Sequence, residues 1–208
     1  MASCRRMQFR YSMGDKFVYF LKSLRNPVPY AERYDIRLTL HPDDPPVPKL
    51  GKVSRIMISY ENIRKAIAIG NSRNLGITMC KACYQMIGED LYHVIPEIKD
   101  KIFFIHFRNA TGNKYNFHET FHDNGDIKMG EMIALYKKNG IHVPIGVDHV
   151  PAMAGETETT GYTAPGHMDV EYVERFFSRL SGRKACCLFH NVTYHDYVYN
   201  PDSNKLAV

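Results

Sequence analysis

The segment Lys101-Ile-Phe-Phe-Ile-His-Phe107 is an almost unbroken apolar run in the middle of the chain. A strand of this kind is buried on both faces of its sheet, which is typical of parallel α/β folds. Further strands are predicted at residues 36–40, 76–80 and 143–147. Because amphipathic helices separate these strands, we expect a parallel sheet with helical crossovers.

Apolar residues at helical spacing predict the helices that connect the strands. The predicted helices span residues 15–26, 60–69, 91–98, 126–139 and 173–180. The first helix should end before Pro27, and Pro96 should kink or split the third, because proline removes a backbone donor and clashes with the preceding turn. Residues 185–199 should form one or two strands, whose place in the sheet the sequence leaves open.

Composition predicts one globular domain over residues 1–208, since 44% of the residues are apolar and 24% are charged. No run approaches the roughly 20 apolar residues that cross a bilayer, so no membrane association is expected. The basic start of the chain lacks the apolar stretch of a secretory signal, which predicts a cytoplasmic location. Five cysteines, an odd number at irregular spacing, argue against a disulfide framework.

The net charge of +5 suits an anionic small-molecule substrate. The sequence has no dense run of Lys and Arg interleaved with aromatic residues, which is the pattern that follows a nucleic-acid backbone. We therefore expect no nucleic-acid partner.

Polar residues stand at or just beyond the carboxyl ends of the four predicted strands. They are His41, Cys80, His106 and Asp148, and they lie 39, 26 and 42 residues apart. In parallel α/β folds this edge gathers side chains from different strands into one site. Two imidazoles, a thiolate and a carboxylate form a donor set suited to a divalent transition metal.

Each of these residues also has a structural interpretation. His41 could cap a loop made rigid by prolines, and Cys80 could be a small buried apolar residue. His106 could bond a neighbouring carbonyl, and Asp148 could cap a helix. Taken singly these alternatives are the simpler ones, but the same placement recurs in four successive units, and this favours a common metal site.

Two further motifs carry less weight. The segment Asp123-Asn-Gly-Asp126 is similar to a calcium loop, but Ala134 stands where a bidentate glutamate would be required, so we expect a turn and an N-cap for the next helix. The pair Cys80-x-x-Cys83 has no second pair to complete a structural zinc site.

The order of several motifs resembles that of the mannonate dehydratases. They are His41-Pro-Asp-Asp-Pro-Pro46, His106-Phe-Arg-Asn109, Phe121-His-Asp-Asn-Gly-Asp126, Asp148-His-Val-Pro151 and Gly161-Tyr-Thr163. The resemblance covers residues 15–167 and implies the second half of a TIM-type (β/α) barrel with about four parallel βα units. Residues 168–208 would then form a divergent, irregular C-terminal extension.

The family implies dehydration of D-mannonate to 2-keto-3-deoxy-D-gluconate in hexuronate breakdown, with Mn²⁺, Fe²⁺ or another divalent transition metal. By resemblance the ligands are the four strand-end residues named above. His149 and Tyr162 would be the acid and base, Arg108 would add positive charge beside the reacting sugar acid, and Asn109 would bind substrate. Removal of a weakly acidic proton next to a carboxylate needs such positive charge and a nearby proton donor.

The chain departs from the family in its length, because a full barrel needs eight βα units and typically about 250 residues. A four-stranded part of a barrel has two open edges, so we expect a homo-oligomer. Two alternatives remain open. One is a non-catalytic truncated homologue that retains the metal site, and the other is a related metal-dependent sugar isomerase.

Overall fold

The computed structural model describes residues 13–149, 151, 198–200 and 205–207. Its helices are α1 (Met13–Leu24), α2 (Pro27–Tyr34), α3 (Tyr60–Gly70), α4 (Lys81–Ile87), α5 (Leu91–Ile98) and α6 (Met129–Lys138), with a 3-10 turn at Lys99–Lys101. Its strands are β1 (Leu38–Leu40), β2 (Lys49–Leu50), β3 (Val53–Ser54), β4 (Leu75–Cys80), β5 (Ile102–His106), β6 (Asn109–Asn113), β7 (Asn116–Thr120), β8 (Ile145–Gly146), β9 (Val198–Asn200) and β10 (Lys205–Ala207).

A parallel sheet of four strands, in the spatial order β1, β4, β5, β8, forms the centre of the described structure. Helices connect the successive strands, so the predicted α/β class, a partial (β/α) barrel, is confirmed. The register places Cys80 opposite His106 and His106 opposite Gly146. The carboxyl ends of β4, β5 and β8 therefore lie at the same level.

The core lies around β4, whose six residues are all buried. Apolar residues from α3, α5 and α6 join it in one continuous cluster that includes Ile63, Ile77, Ile95 and Met132. Side-chain caps start two of the described helices: Ser59 accepts from the Asn62 amide before α3, and Asp90 accepts from the Tyr92 amide before α5. Strand β5 is less covered than its apolar sequence predicts, because Phe103 and Phe104 are only half-buried.

Two prolines have different effects on the helices. Helix α1 ends at Leu24, before Pro27 as predicted, and Pro27 starts a second helix, because its missing donor lies in the first turn, where no partner is needed. Pro96 lies inside α5, which continues through it and ends two residues later at Ile98. Pro96 therefore does not split this helix, and the predicted kink stays a prediction.

The antiparallel hairpin of β6 and β7 lies between β5 and α6 and was not predicted. Its register runs from Asn109 opposite Thr120 to Asn113 opposite Asn116. Gly112 adopts a φ of 115° beside the Asn116 carbonyl, where a Cβ atom would collide. The strands of this hairpin are mostly polar, so they lack the apolar alternation that would indicate them in the sequence.

Several predictions fall outside the described residues: the helix at 173–180, the strands at 185–197, and Tyr162. Strands β9 and β10 pair antiparallel with each other. The division at residue 167 stays a prediction. Among the helices that the structure describes, none is long and apolar enough to span a lipid bilayer.

Candidate metal centre

The four strand-end donors lie together at the carboxyl edge of the sheet. Each offers one ligand atom, and these atoms all lie within 4.8 Å of one another; the residues are His41, Cys80, His106 and Asp148. The sheet explains the arrangement, since Cys80 ends β4 directly opposite His106 at the end of β5. His41 follows β1, and Asp148 follows β8 by two residues.

The contacts among the donors are short and mostly shielded from solvent. His41 Nε2 lies 3.0 Å from His106 Nδ1, which in turn lies 3.2 Å from Asp148 Oδ2. The Cys80 thiol donates to the same carboxylate oxygen over 3.8 Å. Cys80 and His106 are buried. The side chains therefore already converge from different strands on one small volume.

The electrostatics of the cluster favour a protonated His106 and an ionised Cys80. Burial alone would lower the pKa of His106, but hydrogen bonds with Asp148 and Cys80 raise it to about 9. Hydrogen bonds from Cys83 and from the two histidines outweigh burial and lower the pKa of Cys80 well below its ordinary value. A set of two imidazoles, one readily ionised thiol and one carboxylate fits a divalent transition metal, so this cluster could hold such an ion.

The neighbouring segments fix the orientation of the donors. His41 Nδ1 lies 2.6 Å from the Pro42 carbonyl oxygen, which leaves Nε2 directed at the cluster. The loop after His41 is anchored by Asp43, whose carboxylate accepts from the backbone amides of Ile56 and Met57 at 3.0 and 2.8 Å. Asp148 adopts a left-handed φ of 72°, a conformation that aspartate tolerates better than most residues.

Arg108 has no free face for a substrate in this structure. Its side chain is 1% exposed, and its guanidinium forms ion pairs with Asp44 and Glu119. The pair with Glu119 is bidentate, with Nε 2.9 Å from Oε2. The charge of Arg108 is therefore buried and paired with two carboxylates in this structure, and its predicted role beside a sugar acid stays a prediction.

Asn109 is likewise directed into the protein interior. Its amide nitrogen donates to the carbonyls of His122 and Ile127, each at 2.9 Å. Its Oδ1 accepts from the amides of Ala110 and Ile127 at 3.0 and 3.1 Å. The side chain is fully buried and in this conformation fastens the segment after β7, and its predicted contact with a substrate stays a prediction.

His149 is the predicted acid or base that the structure describes, and it lies at the rim of the cluster. Its side chain is 38% exposed, with Nε2 3.7 Å from Asp148 Oδ1 and Nδ1 3.8 Å from Glu119 Oε1. Tyr162, its predicted partner, lies outside the described residues.

Two buried polar residues near the centre were missed in the sequence. The Lys81 ammonium donates to the His106 carbonyl over 2.9 Å and lies 4.4 Å from the centre of the Phe107 ring. Burial lowers the pKa of Lys81 to about 7. His122 stacks on Phe107 and is fully buried. In the sequence, the position of Lys81 among apolar residues directly after Cys80 could have indicated its burial near the site. Nothing in the local sequence indicates the burial of His122.

Asp126 does not cap helix α6, contrary to expectation. The helix begins at Met129, and its N-cap residue Lys128 makes no side-chain cap. The Asp126 carboxylate instead accepts from the Gly112 amide at 3.0 Å and from the Gln85 side chain at 3.3 Å. It ties the hairpin to helix α4.

The parallel sheet and its carboxyl-edge site place this chain in the class of (β/α)-barrel proteins. The solved mannonate dehydratase of Streptococcus suis serotype 2 matches with a TM-score of 0.72 and 24% identity, covering 85% of this chain and 53% of that one. The xylose isomerase domain protein of Planctomyces limnophilus matches with a TM-score of 0.58 and 15% identity, covering 80% and 54%. At these identities the likeness is one of fold.

The family follows from the sequence comparisons. The model of the D-mannonate dehydratase (UxuA) family matches residues 8–184, past residue 167, where the resemblance was expected to end. The mannonate dehydratase of Oceanobacillus iheyensis is 35% identical over 148 residues, and that of Streptococcus agalactiae serotype V is 32% identical over 159. This chain belongs to the D-mannonate dehydratase family.

The chain is much shorter than these relatives. The aligned regions cover 69% and 72% of this chain but only 41% and 44% of the two enzymes. The chain therefore spans less than half the length of the curated relatives that it matches.

Removal of a single donor should abolish metal uptake. We expect Cys80→Ala and His106→Ala to lose stoichiometric Mn²⁺ while the far-UV circular dichroism stays nearly unchanged, because each change removes one ligand from the edge of an otherwise intact sheet. Elemental analysis after dialysis measures the bound metal. The exposed histidine variant His93→Ala serves as control and should bind metal as the wild type does. Unchanged metal content in both donor variants would remove these residues from the site.

His122 should make the protein less stable in acid. Burial lowers its pKa to about 4, below the ordinary value of 6.5, so the unfolded chain binds the extra proton more readily. The contribution of neutral His122 to the free energy of unfolding is then fully present above about pH 6.5 and is lost as the pH falls toward 4. The wild type should lose about 2 to 3 kcal/mol more than His122→Asn between pH 7 and pH 4.5. Urea unfolding of the metal-free proteins tests this, with His93→Asn as control. Parallel stability curves for wild type and His122→Asn would contradict it.

Proposed function

We propose that this chain carries the metal-binding part of a D-mannonate dehydratase active site and dehydrates D-mannonate to 2-keto-3-deoxy-D-gluconate, a step of hexuronate breakdown. The observation that supports this proposal is the convergence of two imidazoles, a thiol and a carboxylate within 4.8 Å, in a member of this family. Mn²⁺ is the proposed ion, with Fe²⁺ or another divalent transition metal as alternatives. A cytoplasmic location remains a prediction from the sequence.

The proposed ligands are the four clustered residues His41, Cys80, His106 and Asp148. When bound, a divalent cation supplies positive charge beside the carboxylate of a sugar acid and so makes the neighbouring C–H proton more acidic. The chain itself provides a largely dry edge for this chemistry, because Cys80, His106 and the backbone beneath them are shielded from water. Charge interactions are stronger in such surroundings than in water.

His149 is the proposed proton carrier. Its imidazole is partly exposed at the rim, so a substrate can approach it, and it lies within 3.8 Å of two carboxylates. In the reaction one group takes the proton from carbon and another protonates the departing hydroxide. We assign these two tasks to His149 and Tyr162 as a pair, without deciding their order.

Arg108 takes an indirect part in this proposal. Its guanidinium joins the loop after His41, through Asp44, to the hairpin, through Glu119. Asn109 holds the segment after β7 by three hydrogen bonds, to His122 and Ile127. Both residues would therefore support the shape of the pocket, beside the catalytic role of Arg108 and the substrate binding by Asn109 that the family resemblance implies.

A second candidate is a non-catalytic homologue that binds metal without turning over substrate. The structural likeness to the xylose isomerase domain protein concerns the fold alone and gives no separate support to an isomerase.

Incubation with D-mannonate distinguishes these candidates. We expect the purified chain, loaded with Mn²⁺, to form the 2-keto-3-deoxy product, and the His149→Ala variant to bind the metal equally well but lose activity about 100- to 10,000-fold, the usual contribution of a general acid or base. A semicarbazide or thiobarbiturate assay measures the product. Metal uptake without any product would support the non-catalytic homologue. An isomerase would leave D-mannonate unchanged and would instead convert an aldose to its ketose in a parallel incubation.

We further propose that the chain is a homo-oligomer. Within the described ranges, β1 and β8 are the outer strands of the four-stranded sheet, and each pairs on one side only. Edges of this kind invite pairing with another chain. Size-exclusion chromatography with light scattering should give at least twice the monomer mass of 24.0 kDa. A stable monomer at micromolar concentration would contradict this proposal.

A further inference from the structure

Glu119 and Asp44 together bring more negative charge to the buried Arg108 than its guanidinium needs for neutralisation. Both carboxylate oxygens of Glu119 bind the guanidinium of Arg108, and Asp44 binds the same guanidinium from the other side. One carboxylate would be enough to neutralise Arg108. Two carboxylates around one guanidinium leave an excess negative charge, and the Glu119 end of this network faces the rim of the donor cluster.

The group that meets this excess charge is His149. Its Nδ1 lies 3.8 Å from Glu119 Oε1, and its Nε2 lies 3.7 Å from Asp148 Oδ1. The imidazole therefore lies between a carboxylate of the donor cluster and a carboxylate held by a buried arginine. Because the bidentate pair fixes the position of Glu119, that oxygen provides a rigid contact for a side chain that is otherwise partly exposed.

We propose that Glu119 is a positioning residue for His149. The Glu119 carboxylate attracts the Nδ1–H group of the His149 imidazole. The ring is thereby turned with Nε2 on the side of the donor cluster. Arg108 acts through Glu119 in this arrangement, which gives a reason for its burial beside the site. The consequence for dehydration depends on the proposed function, whereas the orientation of the ring does not.

The chain supplies a matched control on its surface. Glu97 of α5 lies 3.1 Å from Arg64 Nη1 and 3.8 Å from His93 Nε2, so it also joins an arginine to a histidine. The His93 side chain is 76% exposed, far more than that of His149. Glu97→Gln therefore removes the same kind of carboxylate from a place without a donor cluster.

Histidine ring signals test the orientation directly. In the metal-free, full-length chain labelled at histidine, Glu119→Gln should shift the ring resonances of His149 and leave those of His93 in place, while Glu97→Gln should do the reverse. His149→Gln identifies the His149 signal. Should Glu119→Gln fail to fold because Arg108 loses a partner, Glu119→Asp keeps the charge but shortens the side chain, and it should also move the signal. His149 resonances that are identical in wild type and in the folded Glu119 variant would overturn the proposal.

Kinetics provide the second measurement. Glu119→Gln should retain stoichiometric Mn²⁺ and a KM for D-mannonate within about threefold of wild type, while kcat falls about 10- to 100-fold through loss of orientation. Glu97→Gln should leave both constants unchanged. A wild-type kcat in Glu119→Gln would overturn the positioning role. If the wild-type chain forms no product, the proposed function fails, and the ring signals alone decide the orientation.

Discussion

The parallel register of the central strands is the constraint on which the site depends. Cys80 and His106 lie opposite each other because, after a register shift between Ile77 and Thr78, β4 and β5 pair without a further shift to their carboxyl ends, and the complete burial of β4 makes a slip costly. A shift of one residue would turn a donor from one face of the sheet to the other. Hydrophobic packing in the core therefore determines which polar groups meet at the carboxyl edge of the sheet. The polar groups would not set this register themselves, because they would repel one another or compete for the same partners.

Charge is balanced around this edge by residues that are not donors. The guanidinium of Arg108 joins two carboxylates from segments distant in sequence, and the Lys81 ammonium lies under the His106 carbonyl. Buried charges are tolerated only when they are paired, and loss of one partner costs several kcal/mol. The network thus links the loop after His41, the end of β5 and the hairpin into a frame around the donors.

Much of this arrangement can be predicted from the sequence, for a physical reason. Apolar runs such as that of β5 indicate strands, and the residue that follows each run must lie at the carboxyl edge, so the gathering of the four donors follows from position along the chain. The burial and ion pairing of Arg108 cannot be predicted in this way, because Glu119 lies in a polar hairpin whose strands show no apolar alternation. The start of α6 was also misplaced, because Asp126 binds Gly112 and Gln85 in space and leaves the helix uncapped.

The left-handed backbone at Asp148 has a consequence for how this site can evolve. Among residues with a side chain, asparagine and aspartate adopt this conformation most readily, and a β-branched or longer residue is disfavoured there. Exchange of this aspartate for glutamate, which would keep the carboxylate on a longer side chain, would strain the backbone at that point. Drift in ion selectivity is therefore more accessible at the other three donor positions, where the backbone conformation imposes no such restriction.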